Sequence, residues 1–384
     1  MTPLINEPAG LLALLCGVTA LFFFLERTIK GAFFKWLPAY IFVYLVPMLL
    51  TTSGVSPSRS QVYDGFDTLV LPLVLTLLLI TVPLKSVMRD FSRGAAVMLL
   101  GSLGVVVGGV VAFLVFSPFL EGSSWKAFGA LAGSWTGGTA NMAAAASALE
   151  ISPAWYGMAI LADSLLFTLW LPVLLYTRRW APEKSSPPQD ALPGTPTGEP
   201  LPGPASLTHH TDLLILLATG FLVPFLASQL ARLIPTGSVV ITPSSLRILL
   251  VTTISLALSF TPLSRVRGSQ PLAMALLYLF VASMGARADL SHLAGSAFLF
   301  LGAATLWLLI HGAFVFVGAR LLKTDVTAGA IGSAANIGGV ASAILVAGHH
   351  DPRRVPGAVL LALLGFSIGN YLALVTAHLC RMLS

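Results

Sequence analysis

Long apolar runs separated by short polar interruptions set the pattern of the chain. The runs fall at about 9–25, 33–50, 69–84, 95–117, 126–149 and 155–176; after a break they resume at about 212–234, 245–262, 271–286, 296–321, 325–347 and 355–379. Crossing a hydrocarbon core of ~30 Å takes about 20 apolar residues in a helix. Runs such as Leu69–Leu84 and Phe298–Val317 approach that length. None alternates residue by residue as barrel strands do. The pattern predicts an all-α polytopic membrane protein.

The break at 177–211 holds eight prolines among Ser, Gly, Thr, Glu and Asp. Such a stretch cannot build a core, so a flexible linker is expected there. It divides the chain into residues 1–176 and 212–384. Each half carries six apolar runs and ends alike, with a long span, a Gly/Asn-containing segment and a last span. This is an internal repeat at half-chain scale.

Composition sharpens the class: 56% of residues are hydrophobic and 9% charged, against about 25% charged in soluble domains. The net charge of +6 does not point to nucleic acid, because the basic residues sit in short loops, where they orient spans. Cys16 and Cys380 have neither zinc nor disulfide-framework spacing and are expected to be small buried hydrophobes. The opening MTPLINEPAG lacks a basic n-region, and its apolar run is followed by Glu26, Arg27 and Lys30. That reads as a first span with its N-terminus outside, not as a cleaved signal.

Charge then sets a topology. If 126–149 and 325–347 are re-entrant, each half has five true spans. The loops holding Arg27/Lys30/Lys35, Lys85/Arg89/Arg93, Arg178/Arg179/Lys184, Arg265/Arg267, Arg320/Lys323 and Arg353/Arg354 then share the inner side. Both termini lie outside and the linker is cytoplasmic. Full crossing by both segments would scatter these groups. Five is odd, so the second half must run opposite to the first: an inverted repeat, the layout of many secondary transporters.

The two odd segments contain 133-GSWTGGTANMAAAA-146 and 332-GSAANIGGVASA-343. Non-helical backbone survives at membrane depth only when buried in protein or lining a watery cavity. Glycines permit a sharp break. Gly137, Gly138, Gly338 and Gly339 are therefore expected to open the backbone. Ser134, Thr136, Thr139, Asn141, Ser333, Asn336 and Ser342 can recapture freed backbone groups or offer oxygens to a dehydrated cation. Half-helix N-termini favour anions and C-terminal carbonyls favour cations. Two such breaks meeting at the midplane would make a binding site. Ala132-Gly133-Ser134 matches Ile331-Gly332-Ser333, and Gly137-Gly138 overlies Gly338-Gly339 after a one-residue shift.

Asp163, in 157-GMAILADSLLFTLW-170, is the acidic residue deep in a predicted span. A carboxylate there costs ~2.5–3.5 kcal/mol on insertion scales and normally faces a cavity or ion path. Asp163 and Asn141 are expected Na⁺ ligands, or Asp163 carries a proton. Asn370, in 365-GFSIGNYLAL-374, is the neutral counterpart of Asp163 in the other half. His311 is expected to be an interhelical hydrogen-bonder. His349, His350 and Asp351 read as a solvated turn. Asp64, Asp67, Asp289 and Arg287 read as interfacial. The pattern 365-GFSIG-369 matches a nucleophile elbow in letters only, since it lies in an apolar helix. Those glycines, like 104-GVVVG-108, suit a packing face, and no catalytic role is expected.

The segments 133-GSWTGGTANMAAAA-146, 159-AILADSLLFTLWLP-172 and 329-GAIGSAANIGGVASA-343 resemble the YjcL-like family of bacterial and plastid membrane proteins, a family of unknown function. That family is placed with cation/proton antiporters and with bile-acid–sodium and glutamate–sodium symporters. The resemblance implies a core domain with broken helices, moving as an elevator against a scaffold of the first two or three spans of each half. It also implies that a homodimer would form through the scaffold. Some antiporters of the superfamily pair two acids in a core span, whereas Asp163 is followed by Ser164.

The expected function is secondary active transport in a bacterial inner membrane: Na⁺-coupled symport of a small polar or anionic organic solute, with no cofactor beyond the coupling ion, Na⁺ or H⁺. A monovalent cation/proton antiporter is the alternative, and a membrane enzyme or scaffold without transport is the reading from another class.

Overall fold

The computed structural model describes residues 3–29, 33–36, 38–84, 93–120, 122–181, 209–235, 242–288 and 296–384. They form helices throughout. The first half contains α1 (Pro8–Thr28), α2 (Ala39–Thr52), α3 (Gln61–Leu79), α4 (Arg93–Phe116), α5 (Trp125–Gly137), α6 (Thr139–Ala148) and α7 (Pro153–Tyr176). The second contains α8 (His210–Leu233), α9 (Pro243–Leu258), α10 (Ser269–Ala286), α11 (Ser296–Leu321), α12 (Val326–Asn336), α13 (Gly339–His350) and α14 (Val355–Met382). In each half, four helices are followed by two half-length helices and a last long one.

Among the described residues eight helices are long and apolar enough to cross a bilayer, and the apolar α2 and α9 are shorter. At 1.5 Å per residue these two span about 21 and 24 Å. The chain is a multi-pass membrane protein.

Helices α4–α7 and α11–α14 pack as one group, and α1–α3 and α8–α10 pack mainly among themselves. The longest seam of the first group joins α4 to α11. A Cβ added at Gly104 would stand 2.6 Å from Phe314 Cβ, and one at Gly108 would stand 2.6 Å from Trp307 Cδ1. The G-x-x-x-G face of α4 thus lets two long helices touch backbone to side chain, as small residues do in membrane bundles. Gly365 and Gly369 play the same part on α14, against Thr136 O and Asn141.

Three expectations are corrected. The third helix starts at Gln61, not near 69, capped by Ser60 and passing through a π-turn at Phe66–Val70. Its polar start is tolerated because Arg287 Nη1 lies 2.6 Å from Asp67 and Nη2 lies 3.2 Å from Asp64. Cys16 is exposed on the outer face of α1, while Cys380 is buried. His350 is not in a solvated turn: it ends α13, is buried, and has Nε2 3.0 Å from Leu174 O. Lys30, Lys85, Arg89, Lys184, Asp289 and linker residues 182–208 lie outside the described residues.

Candidate functional site

Both odd segments are broken helices, and both breaks fall at the glycines. In the first, the Gly138 N–H closes α5 on Ser134 O at 2.7 Å; in the second, the Ile337 N–H closes α12 on Ser333 O at 2.7 Å. The two breaks therefore begin at the same offset from the matching Gly-Ser pairs. Gly138 then adopts φ +85°, ψ −178°, Gly338 φ +107° and Gly339 φ +72°. These are conformations that side-chain-bearing residues rarely adopt.

The first break doubles the chain back. A Cβ on Gly133 would stand 2.8 Å from Asn141 O, whereas eight residues along one straight helix lie ~12 Å apart. The hairpin of α5 and α6 is held on one side by α14: Gly365 meets Thr136 O, and the Asn141 Nδ2 donates to Phe366 O at 2.9 Å while lying over Gly137 and Gly369. On its other side is α7. There Trp135 Nε1 donates to Asp163 Oδ1 at 3.0 Å, with Ser134 beside the same carboxylate. Asp163 is 8% exposed, so this indole bond holds a carboxylate almost wholly removed from solvent. Ser134 and Trp135 face Asp163, and Gly137 faces Asn141. One turn of α5 thus separates the two expected Na⁺ ligands, with no direct contact between them among the described contacts.

Helix α7 also touches the second break. Phe167, one turn beyond Asp163, packs its ring on Gly338. One turn further, Trp170 Nε1 donates to Ser333 Oγ at 2.9 Å. The Ser333 hydroxyl sits 3.0 Å from His311 Nε2, and His311 Nδ1 sits 2.9 Å from Gly101 O. A carbonyl can only accept, so Nδ1 carries the proton and Nε2 accepts from Ser333. The chain Trp170, Ser333, His311, Gly101 thus ties α7, α12, α11 and α4 together through a neutral histidine. His311 is the interhelical hydrogen-bonder expected of it.

The remaining expected residues divide in two. Asn336 is fully engaged: Nδ2 donates to Met98 O and Oδ1 accepts from Ser102, both at 2.9 Å. Thr136 donates to Ala132 O at 2.9 Å, and Ser342 to Gly338 O, the N-cap of α13, at 3.0 Å. These serve the backbone. By contrast Asn141 Oδ1 and Asn370 Oδ1 are buried and accept no hydrogen bond among the described residues. Buried carbonyl oxygens normally have partners. Thr139 is half-buried and opens α6 directly after the Gly138 break.

Several neighbours were missed by sequence reasoning. Asn370 Nδ2 donates to Thr252 Oγ1 at 2.9 Å, and the Thr253 and Tyr371 hydroxyls are 2.7 Å apart, joining α9 to α14. Tyr40 on α2 bonds Ser164, next to Asp163. The Tyr156 hydroxyl, two turns before Asp163 on α7, is buried without a partner among the described residues. Trp135 stood inside the quoted glycine stretch, where a lone indole among small residues was the available signal. Ser367 lies in α14 and donates to Leu363 O at 2.8 Å, so it is not on a nucleophile elbow.

This architecture defines a polytopic helical membrane protein whose buried polar groups gather at two interrupted helices. Residues 13–383 match the family described as Protein of unknown function (DUF819), and the chain belongs to that family. It is also similar to the uncharacterized membrane protein YjcL of Bacillus subtilis (strain 168), 26% identical over 366 residues, covering 88% of this chain and 89% of that protein.

Proposed function

We propose that the protein is a secondary active transporter that couples Na⁺ to the movement of a small polar or anionic organic solute. The observation that carries this reading is the meeting of two glycine-broken helices along one face of α7, where Asp163, Phe167 and Trp170 reach the first break, the second break and Ser333 in turn. Broken helices of this kind form midplane sites in transporters of inverted-repeat design.

In this reading the Asp163 carboxylate and the unpaired Asn141 oxygen bind the cation, with Ser134 and Thr139 close by. The N-terminal turns of α6 and α13 attract an anionic group of the solute. Asn370 lines the same site from α14. The recurrence of the helix succession supports two inverted repeats. The separate packing of α4–α7 with α11–α14 supports a core that moves against a scaffold of α1–α3 and α8–α10, by which two copies would associate. The membrane is the bacterial inner membrane, with the linker cytoplasmic.

The test is thermal unfolding of the purified protein in NaCl against choline chloride. A ligand that binds only the folded state raises stability with concentration. Saturable Na⁺-specific stabilisation, abolished by Asp163→Asn, is expected. The same response in choline chloride, or an Asp163→Asn protein that still responds to Na⁺, would sink sodium coupling at this carboxylate. A pH-dependent response replacing it would favour cation/proton antiport.

A further inference from the structure

A groove of about 610 Å³ opens where α7 ends, lined by Pro172, Leu175, Tyr176, Arg178, Arg179 and His349. It lies between the last turns of α7 and α13, away from the two breaks. Its lining carries two guanidinium groups and an imidazole but no carboxylate. Neither arginine forms an ion pair among the described residues.

Arg179 is already positioned. Its Nη1 donates to the Tyr176 hydroxyl at 3.0 Å, and the guanidinium lies over the Tyr176 ring at 4.7 Å. The Trp180 ring packs edge-on against Tyr176, with centroids 5.7 Å apart. Stacking of this kind leaves the other N–H groups of the fork free for an anion, the geometry in which arginine outperforms lysine. The Arg178 side chain makes no hydrogen bond among the described residues, its backbone carbonyl alone being engaged, by the Ala181 N–H at 3.1 Å. Behind the groove the floor is fixed: His350 Nε2 lies 3.0 Å from Leu174 O, and Nδ1 lies 3.3 Å from Thr327 Oγ1.

The second observation points to a lipid in place of a free ion. From the groove an apolar strip runs back along α7. Leu169 is 61% exposed and Val173 46%, two turns and one turn before the Tyr176 end. On α13, Leu345 is 50% exposed, one turn before His349. Both helices therefore present apolar side chains toward the middle of the span and basic ones at its end. The exposed Tyr176 and Trp180 mark the water–lipid boundary, where such rings concentrate. Basic pockets between spans at this level suit anionic headgroups.

We propose that this groove binds an anionic glycerophospholipid. Arg178 and Arg179 hold the headgroup phosphate, His349 borders it, and an acyl chain lies along Leu169, Val173 and Leu345. Because α7 carries Asp163 and α13 begins at the second break, the bound lipid bridges two helices of the candidate transport site.

The test uses the full-length protein, delipidated in mild detergent, with thermal unfolding followed during titration. Dioleoyl phosphatidylglycerol should give saturable stabilisation, and phosphatidylcholine of the same chains should not. Arg178→Gln, which removes no hydrogen bond, should weaken the phosphatidylglycerol response at least tenfold while leaving the lipid-free melting temperature unchanged. Equal responses to both lipids, or an unaltered Arg178→Gln response, would overturn the proposal. Saturable stabilisation by inorganic phosphate that competes with phosphatidylglycerol would assign the groove to a free anion and overturn it equally. A second readout, phosphatidylglycerol retained per protein by native mass spectrometry, covers the case in which Arg178→Gln lowers the lipid-free melting temperature. Retention by R178Q equal to wild type would again refute the lipid site.

Discussion

Removing one hydroxyl should loosen the second broken helix. Ser333 is fully buried and serves two neighbours, accepting from Trp170 Nε1 at 2.9 Å and donating to His311 Nε2 at 3.0 Å. Ser333→Ala leaves the indole N–H and the imidazole nitrogen without partners in a place water does not reach. A buried group left unsatisfied costs about 1–3 kcal/mol, so the pair should cost about 2–6 kcal/mol. That is a large share of the roughly 5–15 kcal/mol by which a domain is stable. Ser333→Thr keeps the hydroxyl and should lose less than Ser333→Ala. Trp170→Phe removes one of the two bonds, so it and Ser333→Ala should be non-additive by about 0.5–3 kcal/mol, as expected for residues in one network. The assay is equilibrium unfolding in mixed micelles, with intrinsic tryptophan fluorescence as one probe. A Ser333→Ala loss below about 0.5 kcal/mol, or strict additivity with Trp170→Phe, would refute the claim that this chain of bonds holds α12.

Gly365→Ala places a methyl group against Thr136 O, where backbone meets backbone and cannot yield, so overpacking should cost about 1–3 kcal/mol or more in unfolding experiments. Gly138→Ala meets nothing within 4 Å but keeps φ +85°, so its penalty should come from backbone strain, of order 1–3 kcal/mol; Gly138→Asn should be milder than Gly138→Val by the same measurement. Arg287→Ala strands Asp67, which is 27% exposed, and should destabilise more than Asp64→Ala, whose carboxylate is 75% exposed and forms the kind of surface pair measured at about 0–1 kcal/mol. Ser255→Ala removes a buried hydroxyl that has no partner among the described residues and should leave thermal stability unchanged or slightly raised.

Most of the helix layout was legible because apolar runs of spanning length leave few alternatives. The breaks were legible for a different reason: glycines clustered with Ser and Asn have little use in an ordinary span. The start of α3 was hidden because Asp64 and Asp67 look like a boundary until Arg287, over 200 residues later, neutralises them. The division of labour among the polar residues was hidden too. Asn141 and Asn336 look equivalent in sequence, yet Asn336 spends both of its groups on α4 while the Asn141 oxygen is left over. The partner decides, and it comes from another helix. Thr252 escaped notice because a threonine in an apolar run carries no signal until its neighbour is known, whereas the lone indole of Trp135 among small residues was a signal that only its partner, Asp163, explains.

The seam between α9 and α14 has one more property. Thr252 and Ser255 on α9 and Ser259 at its C-cap recur at three- and four-residue intervals, and all three are buried. Asn370 is bonded to the first, and the second has no partner among the described residues. A hydroxyl row of this kind offers like-for-like acceptors at successive rungs about one turn, roughly 5 Å, apart. The amide of Asn370 could therefore change rungs and keep its own hydrogen bond, so the vertical register of the two helices is set by the neighbouring Thr253–Tyr371 pair, whose threonine has only Leu249, Leu250, Leu256 and Ala257 one turn away on α9.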